Sequence, residues 1–258
     1  MKISVAFLVV SLLSIPSFAA WTPPTNPDPS KILQEARIDT KNKRYEDALA
    51  KHIWFHKNAL LYKYSLAGVR LSFALTDWHH LGKHYPPALT KLKEIRDYAA
   101  KQIHDGNNLF QYFQEFAAIN RTLSENNQTK DVFVWLDKHA PGKAQKIYPL
   151  AQPALVSEKE YNLCGKYIDS KQYFSRIVLN FSVINRLALN SEISSTQIEI
   201  GKELFIKNTS TLIALLAING RKNEARLIAN KATKELNQSL LHAEFQKALK
   251  GHFSNLKL

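Results

Sequence analysis

The feature that most constrains the fold of this chain is a short pattern that recurs along its length. In each copy an apolar stretch with helical spacing ends at a polar turn, and a second stretch begins with a residue that is followed three positions later by a small one. The copies span residues 43–49, 83–89, 159–164 and 220–225, with a weaker one at 129–132. Helical stretches joined by short turns predict antiparallel helix pairs, and the low glycine content, 8 of 258 residues, agrees with helices rather than strands.

The small residue of each copy has a defined place in a helix pair. Two helices approach closely only where a small side chain faces the partner, so we expect these positions to be buried at the helix crossings. They are Ala48, Ala88, Cys164 and Ala225. Where the second stretch of a copy begins with a tyrosine, at Tyr45, Tyr85 and Tyr161, the ring lies on the same helical face as the small residue and is expected to cover the turn.

These units resemble tetratricopeptide repeats, in which helix pairs stack into a solenoid with a period of about 34 residues. Residues 36–97 carry the resemblance best, through Trp54, the stretch 68–75 and the stretch 85–88, and are similar to a group of uncharacterised bacterial repeat proteins. The marked positions lie 32 to 61 residues apart, so the repeats are irregular. The resemblance implies an all-α fold, an irregular tetratricopeptide-like helical-repeat solenoid of antiparallel helix pairs, and a role in recognition.

The first residues have the composition of a signal peptide. Lys2 precedes an apolar run at residues 3–15, Pro16 ends it, and small residues offer a cleavage site after Ala19. The run is shorter than the roughly 20 apolar residues that span a bilayer, and a membrane anchor is the alternative interpretation. No transmembrane segment is expected further along, and we predict a periplasmic or secreted protein.

Three segments follow from this interpretation. Residues 1–19 form the signal peptide, residues 20–30 form an extended proline-rich linker, and residues 31–258 form a single helical-repeat domain. Ser30 is expected to cap a first helix that starts at Lys31. The last helix is expected over residues 235–253.

Net charge is the strongest compositional signal, because the chain carries a formal +13 from 35 Lys and Arg against 22 Asp and Glu. From residue 165 onward, 14 basic residues oppose 7 acidic ones. This balance favours acidic neighbours, such as nucleic acid, anionic lipid heads, or acidic polymers and proteins of the envelope, and simple solubility explains it equally well. The single cysteine, Cys164, can form no intrachain disulfide and is expected to be an inert packing residue.

Two histidine pairs have the i, i+4 spacing of metal ligands on a helix. His52 and His56 lie in apolar stripes, so we expect partly buried rings that are hydrogen-bonded within the core. His80 and His84 flank Gly82 and a predicted turn, and are not expected to share a helical face. No recognised zinc signature surrounds either pair, so the sequence predicts neither a metal nor a cofactor.

Enzyme signatures such as phosphate-binding loops, His-Glu-x-x-His and Gly-x-Ser-x-Gly are absent from the sequence. Aromatic and basic residues are the better candidates for function, because Trp, Tyr and Arg anchor partner interfaces. The candidate partner-binding residues are Trp54, Lys63, Arg70, Arg221, Lys222 and Arg226. Trp78, in contrast, has core spacing with Leu71 and Leu75.

The sequence thus favours a non-catalytic scaffold of the cell envelope that binds an acidic protein partner. A binder of an anionic envelope polymer, such as peptidoglycan or lipid heads, is the first alternative. A helical hydrolase without a local signature is the second, because paired carboxylates need share no motif. Lys231 and Lys234 fall away from Lys222 and Arg226, so no stripe for nucleic acid is predicted.

Overall fold

The computed structural model describes residues 21–236 and 239–254, and the predicted signal peptide at residues 1–19 lies outside them. Within the described residues the protein consists of 13 α-helices and one short 3-10 helix, with no β-strand. The expected all-α class is therefore confirmed. The chain divides into two compact units, with the boundary after Ile95.

The first unit contains four α-helices, the 3-10 helix and the beginning of a fifth α-helix. In chain order these are α1 (Pro29–Lys41), α2 (Tyr45–Tyr62), the 3-10 helix (Tyr64–Leu66), α3 (Ala67–Arg70), α4 (Phe73–His84) and α5 (Pro86–Asp105). α2 packs against α1, α3 and α4. Trp78 on α4 is fully buried, as its spacing predicts, and its indole N–H donates to the carbonyl oxygen of Ala88 at 2.9 Å.

The second unit contains the remaining helices. These are α6 (Leu109–Leu123), α7 (Asn126–His139), α8 (Pro141–Ser157), α9 (Tyr161–Tyr167), α10 (Ser170–Leu189), α11 (Ser195–Ile218), α12 (Lys222–Glu235) and α13 (Ser239–Leu249). α11 is central because it packs against α9, α10, α12 and α13. Residues 212–216 of this helix are all fully buried, and a helix enclosed by neighbours is apolar on every side.

The four small residues of the recurring pattern are all fully buried, as expected. They are Ala48 in α2, Ala88 in α5, Cys164 in α9 and Ala225 in α12. Each belongs to the first turns of its helix, and α2 and α9 begin at the tyrosines Tyr45 and Tyr161. The pattern therefore locates the start of a helix together with a core position within it.

Two expected helix boundaries were wrong. α1 begins at Pro29, and its N-cap is Asp28, whose Oδ1 accepts from the backbone N–H of Ser30 at 2.9 Å. An aspartate caps as well as a serine, and proline suits the first position of a helix, so the linker ends earlier than Ser30. The helix expected over 235–253 is shorter: α12 ends at Glu235, its C-cap Leu236 has an extended backbone with φ −141° and ψ 103°, and α13 covers only Ser239–Leu249.

A buried ion cluster joins α1 to α2. The carboxylate of Asp39 accepts hydrogen bonds from Lys51 and from Arg44, the latter through Nε at 2.9 Å. The side chains of Asp39 and Lys51 are almost completely buried. Buried charges are tolerated only when they are paired, so this cluster requires the two helices to lie in one register.

Across residues 21–236 and 239–254, no helix combines the length and the apolar character that crossing a membrane requires.

Candidate functional site

The second unit carries two adjoining cavities, of about 450 Å³ and about 330 Å³, which both involve Gln145, Tyr167 and Asp169. We call them together the cationic cleft. Its lining is Gln145, Lys146, Tyr148, Pro149, Lys166, Tyr167, Ile168, Asp169, Ser170, Lys171, Gln172, Tyr173, Arg176, Arg221 and Glu224. Five of these side chains are basic and two are acidic, so the lining carries an excess of positive charge.

The turn between α9 and α10 forms the centre of the cleft and is held from three sides. Asp169 caps α10, with its Oδ1 accepting from the backbone N–H of Gln172 at 2.9 Å. From α8, the side-chain amide of Gln145 donates to the carbonyl oxygen of Tyr167 at 3.2 Å. Beside α12, Nη1 of Arg221 donates to the carbonyl oxygen of Ile168 at 2.9 Å. The turn is therefore a preorganised part of the site.

Helix α9 is also anchored by a close approach to the C-terminal end of α11. The side-chain amide of Asn219 donates to the carbonyl oxygens of Tyr161 and Leu215, at 2.9 Å and 2.8 Å. A Cβ atom at Gly165 would lie 2.1 Å from the Asn219 Oδ1, so only glycine permits this approach. The position of the turn after α9 thus depends on the packing of α9 against Asn219.

Arg221 and Glu224 form a fixed pair at the edge of the cleft. Nε and Nη2 of Arg221 donate to the two carboxylate oxygens of Glu224 at 2.8 Å and 2.7 Å, and the Ser170 hydroxyl donates to the same carboxylate at 2.6 Å. The hydrogen bonds from Arg221 and then Ser170 lower the pKa of Glu224 to about 2. Bidentate contact of this kind fixes both side chains. Arg221 therefore builds the cleft, and part of its positive charge is neutralised by Glu224.

A second carboxylate is engaged beside the cleft. Asp137 on α7 accepts from the Lys166 ammonium and from the Tyr167 hydroxyl. Burial alone would raise the pKa of Asp137, but the hydrogen bonds from Lys166 and Tyr167 outweigh it and the pKa lies below the usual value. Burial, together with this bond, raises the pKa of Tyr167. Lys166 is thus committed to an ion pair.

The other basic residues of the cleft have no such partner. Lys146, Lys171 and Arg176 are exposed, and none forms an ion pair within the described residues. The guanidinium of Arg176 lies 5.4 Å from the centre of the Tyr173 ring, a cation–π distance that leaves its N–H groups available. These three cations can receive carboxylate or phosphate oxygens from outside.

The floor of the cleft is polar and buried. Tyr148 is almost completely buried, and the hydroxyl of the half-buried Tyr173 donates to the side-chain oxygen of Gln152. Burial raises the pKa of Tyr148 and raises that of Tyr173 to about 12. Burial also raises the pKa of the nearby Cys164 thiol to about 11, so this thiol is protonated near neutral pH. The structure agrees with the expectation that Cys164 is an inert packing residue.

Of the candidates predicted from sequence in this unit, Arg221 lines the cleft and Lys222 lies beside it. Arg221 and Lys222 also border a shallow depression of about 280 Å³ formed by residues 220–224. Lys222 and Arg226 are exposed on α12. Sequence reasoning missed Lys146, Lys171 and Arg176, because their proximity depends on how α8 and α10 pack.

The candidates in the first unit have different environments. Trp54 is half-buried, with its ring 6.5 Å from that of Trp21 and 5.7 Å from that of Tyr62. Lys63 is exposed at the C-cap of α2. Arg70 is half-buried and donates through Nε to the carbonyl oxygen of His56 at 2.6 Å. Arg70 therefore ties α3 to α2.

The expectation for His52 was wrong. It is almost fully buried, and neither ring nitrogen has a hydrogen-bond partner among the described residues. Its ring stacks on the indole of Trp78, with 5.8 Å between centres. Burial, assisted by the positive charge of Arg37, lowers the pKa of His52 to about 3. His56, by contrast, is bonded, because its Nε2 lies 3.1 Å from Nη2 of Arg70.

The expectation for His80 and His84 was also wrong. α4 continues through Gly82 to His84, so both rings lie on one face with 5.1 Å between their centres. They line a separate cavity of about 490 Å³ in the first unit, which we call the histidine cleft. Its lining is Arg37, Thr40, Lys41, Lys43, Tyr45, Asp77, His80 and His84. In the described part of the chain, no three His, Cys, Asp or Glu side chains come close enough to hold a metal ion.

Comparison of the chain with family models, with curated proteins and with solved structures finds no match. Interpretation of the site therefore depends on its geometry and charge.

Proposed function

We propose that the protein is a non-catalytic scaffold of the cell envelope that holds an acidic segment of a protein partner in the cationic cleft. The observation that carries this proposal is a set of three exposed cations around a preorganised turn, Lys146, Lys171 and Arg176, which form no ion pair with any residue that the structure describes. Carboxylates of an extended acidic segment match such a set in charge. Glu224 pairs with Arg221 and Asp137 pairs with Lys166, so the excess of positive charge comes from these three cations.

The protonation behaviour of the cleft supports binding over catalysis. A general acid or base works best when its pKa lies near the operating pH. Here the pKa of Glu224 is about 2, and burial raises the pKa values of Tyr148, Tyr167 and Tyr173. None of these four groups is tuned for proton transfer near neutrality. Asp169 is committed as the cap of α10.

The helix packing supports the tetratricopeptide-like part of the proposal. In the second unit, the contacting helices lie one or two places apart in the chain, as in α7 with α8, α6 with α8, and α11 with α13. A stack of helix pairs has this pattern, because each pair contacts the next. Export through the predicted signal peptide, with cleavage after Ala19, belongs to the same proposal.

The first experiment measures binding of a fluorescein-labelled glutamate-rich peptide to residues 20–258 by anisotropy. We expect the double variant Lys171→Glu and Arg176→Glu to lower affinity at least tenfold, because two attractive contacts become repulsive. The matched control, Lys231→Glu with Lys250→Glu, makes the same change in net charge at exposed positions outside the cleft. An equal loss of affinity in both double variants would show that peptide binding depends only on the net charge of the protein.

A pH series distinguishes the two clefts. No histidine lines the described cationic cleft, whereas His80 and His84 line the histidine cleft. Peptide affinity should therefore stay constant between pH 5.5 and 8. Affinity that rises as the pH falls would move the binding site to the histidine cleft.

The experiment in cells uses a photo-crosslinking residue in place of Gln145, with a control at the exposed Leu189. We expect one protein adduct from position 145, which is lost in the double variant and absent at position 189. Adducts with cell-wall fragments would instead support the polymer-binding alternative. Breakdown of those fragments by the purified protein would support the hydrolase.

A further inference from the structure

Exposed apolar side chains are concentrated in one short segment of the first unit. Leu61 is 80% exposed, Tyr62 58%, Tyr64 80% and Phe73 67%. The described residues contain 14 exposed large apolar side chains, and these four lie within 13 consecutive positions. Single exposed apolar residues are ordinary, but a concentration of this kind marks an interaction surface. We call Lys57, Leu61, Tyr62, Lys63, Tyr64 and Phe73 the aromatic corner.

The backbone of the aromatic corner is well anchored, so the exposure does not arise from a frayed helix end. The backbone N–H of Lys63 donates to the carbonyl oxygen of Ala59 at 2.9 Å, and that of Leu66 donates to the carbonyl oxygen of Lys63 at 3.1 Å. Leu66 and Val69 pack against the core formed by Leu33, Phe55, Ala59 and Ala74. Folding therefore buries the inner residues of the segment and leaves the outer ones in water.

The charge around the aromatic corner has one sign. Residues 48–76 contain four Lys and Arg and no Asp or Glu. Lys57 and Lys63 are exposed and form no ion pair within the described part of the chain. Arg70, also in this stretch, is half-buried against His56. An occupant of this surface must offer both apolar contact and negative charge.

We propose that the aromatic corner docks the protein on the surface of an anionic lipid bilayer. Tyrosine rings sit at the level of the lipid headgroups, leucine and phenylalanine enter the acyl boundary, and lysines neutralise phosphates. A second copy of the chain is a poor occupant, because it would bring Lys57 and Lys63 against like charges on a protein with net charge +13. This docking is independent of the cationic cleft in the second unit.

The test is co-sedimentation of residues 20–258 with vesicles of phosphatidylcholine containing 30% phosphatidylglycerol, and with vesicles of phosphatidylcholine alone. The protein of residues 20–258 contains every residue that the structure describes, and circular dichroism verifies its helical content. We expect binding to the anionic vesicles only. Lys57→Gln with Lys63→Gln should lower the partition coefficient about thirtyfold, and Leu61→Ser with Tyr64→Ser roughly tenfold or more.

Matched controls separate this surface from general charge and hydrophobicity. Lys231→Gln with Lys250→Gln removes two exposed charges elsewhere, and Leu189→Ser with Leu227→Ser removes two exposed leucines elsewhere. Both controls should bind like the parent chain. Equal loss in the controls, or equal binding to neutral vesicles, would overturn the proposal.

Three further readouts complete the test: one reports on contact with the bilayer, and two identify other sources of binding. In Tyr64→Trp, the new indole should shift its fluorescence to the blue when anionic vesicles are added, because it enters a less polar layer. Binding of the full chain but not of residues 20–258 would assign the affinity to the N-terminal segment. Dimerisation in sedimentation equilibrium, abolished by Leu61→Ser with Tyr64→Ser, would assign the surface to a second copy.

Discussion

At the scale of single residues, His52 carries the clearest linkage between protonation and folding. Its ring is enclosed between helices and both nitrogens lack partners among the described residues, so the folded protein holds it neutral. In the unfolded chain the same ring takes up a proton below about pH 6.5. As the pH falls from 6.5 towards 3, the unfolded state binds more protons than the folded state, and stability is lost.

We predict that His52→Phe flattens this dependence. Between pH 6 and pH 4, the free energy of unfolding of the parent chain should fall relative to that of the variant by about 1.4 kcal/mol per pH unit. Urea unfolding at several pH values measures the difference. His242→Phe, at an exposed position, is the matched control and should leave the parent curve unchanged. Parallel curves for His52→Phe and the parent would mean that the buried ring accepts a proton without penalty.

The residue scale also separates what local pattern can predict from what it cannot. The burial of Ala48 and Cys164 was predicted because a small residue at the start of a repeated helix has few other roles. The lack of hydrogen-bond partners for His52 among the described residues was not predicted. It depends on Trp78, because a separate helix brings this indole against the histidine ring. Local spacing places a side chain on a face, but the groups opposite that face come from elsewhere in the chain.

At the scale of elements, the junction of α1 and α2 depends on Asp39. Its carboxylate balances the buried ammonium of Lys51 and also holds Arg44. Without it, the remaining ion pair of Lys51 among the described residues would be with Glu35, whose carboxylate oxygen lies 3.8 Å away and whose side chain is 38% exposed. The Trp21 ring, 5.5 Å from the ammonium, adds a cation–π contact but no charge. A buried charge that loses its partner destabilises a protein far more than a missing surface pair does.

We predict that Asp39→Ala lowers the free energy of unfolding by roughly 3–5 kcal/mol. The double variant Asp39→Leu with Lys51→Met should recover most of this loss, since apolar residues can replace a buried ion pair. Chemical denaturation of the three proteins gives the comparison. Asp105→Ala, which breaks the exposed pair with Lys101, should leave the unfolding midpoint unchanged. If the double variant were as unstable as the single one, packing of Asp39 rather than its charge would be the cause.

Some helix boundaries could also be predicted from local sequence, and others could not. The starts of α2, α9 and α12 were predicted within a residue because turn and core signals coincide there. The continuation of α4 through Gly82 was not, because glycine signals a possible break and only packing decides. A Cβ atom at Gly82 would lie 3.0 Å from Cβ of Leu89, so the glycine allows close contact between two helices rather than a turn.

At the scale of the whole molecule, the single cysteine is a reporter of the second unit. Cys164 is fully buried, and burial raises its pKa to about 11. Thiol reagents attack the thiolate, so reaction requires both opening of the unit and deprotonation. A thiol that only an opened state exposes measures the population of that state.

We predict that Cys164 in the native protein reacts with a thiol reagent at pH 7.5 about a thousandfold more slowly than in the unfolded chain. The rate should rise with urea in parallel with loss of helical circular dichroism. Gly165→Ala, which places a methyl group against Asn219, should raise the native rate, whereas Gly142→Ala, with open space around it, should not. Rapid native labelling would contradict the packing around Tyr148 and Cys164.

The all-α class could be predicted from the sequence because it follows from periodicity and from the scarcity of glycine. The cationic cleft could be predicted only in part. Arg221 and Lys222 were predicted because basic residues cluster locally in the sequence. Lys146 is distant in the sequence from Lys171 and Arg176, and the three line one cleft only because α8 and α10 meet near the turn at Ile168. Convergence of distant segments is a property of tertiary packing, and local sequence patterns do not encode it.

The order of helix contacts has a consequence for how the chain acquires its structure. The most extensive contacts join helices one or two places apart, such as α1 with α2, α7 with α8 and α10 with α11. The chain segment between two such helices is short, so their contact forms quickly. A chain that emerges from a narrow pore in N-to-C order can therefore complete each helix contact soon after its residues appear. Its apolar faces stay open to aggregation only briefly.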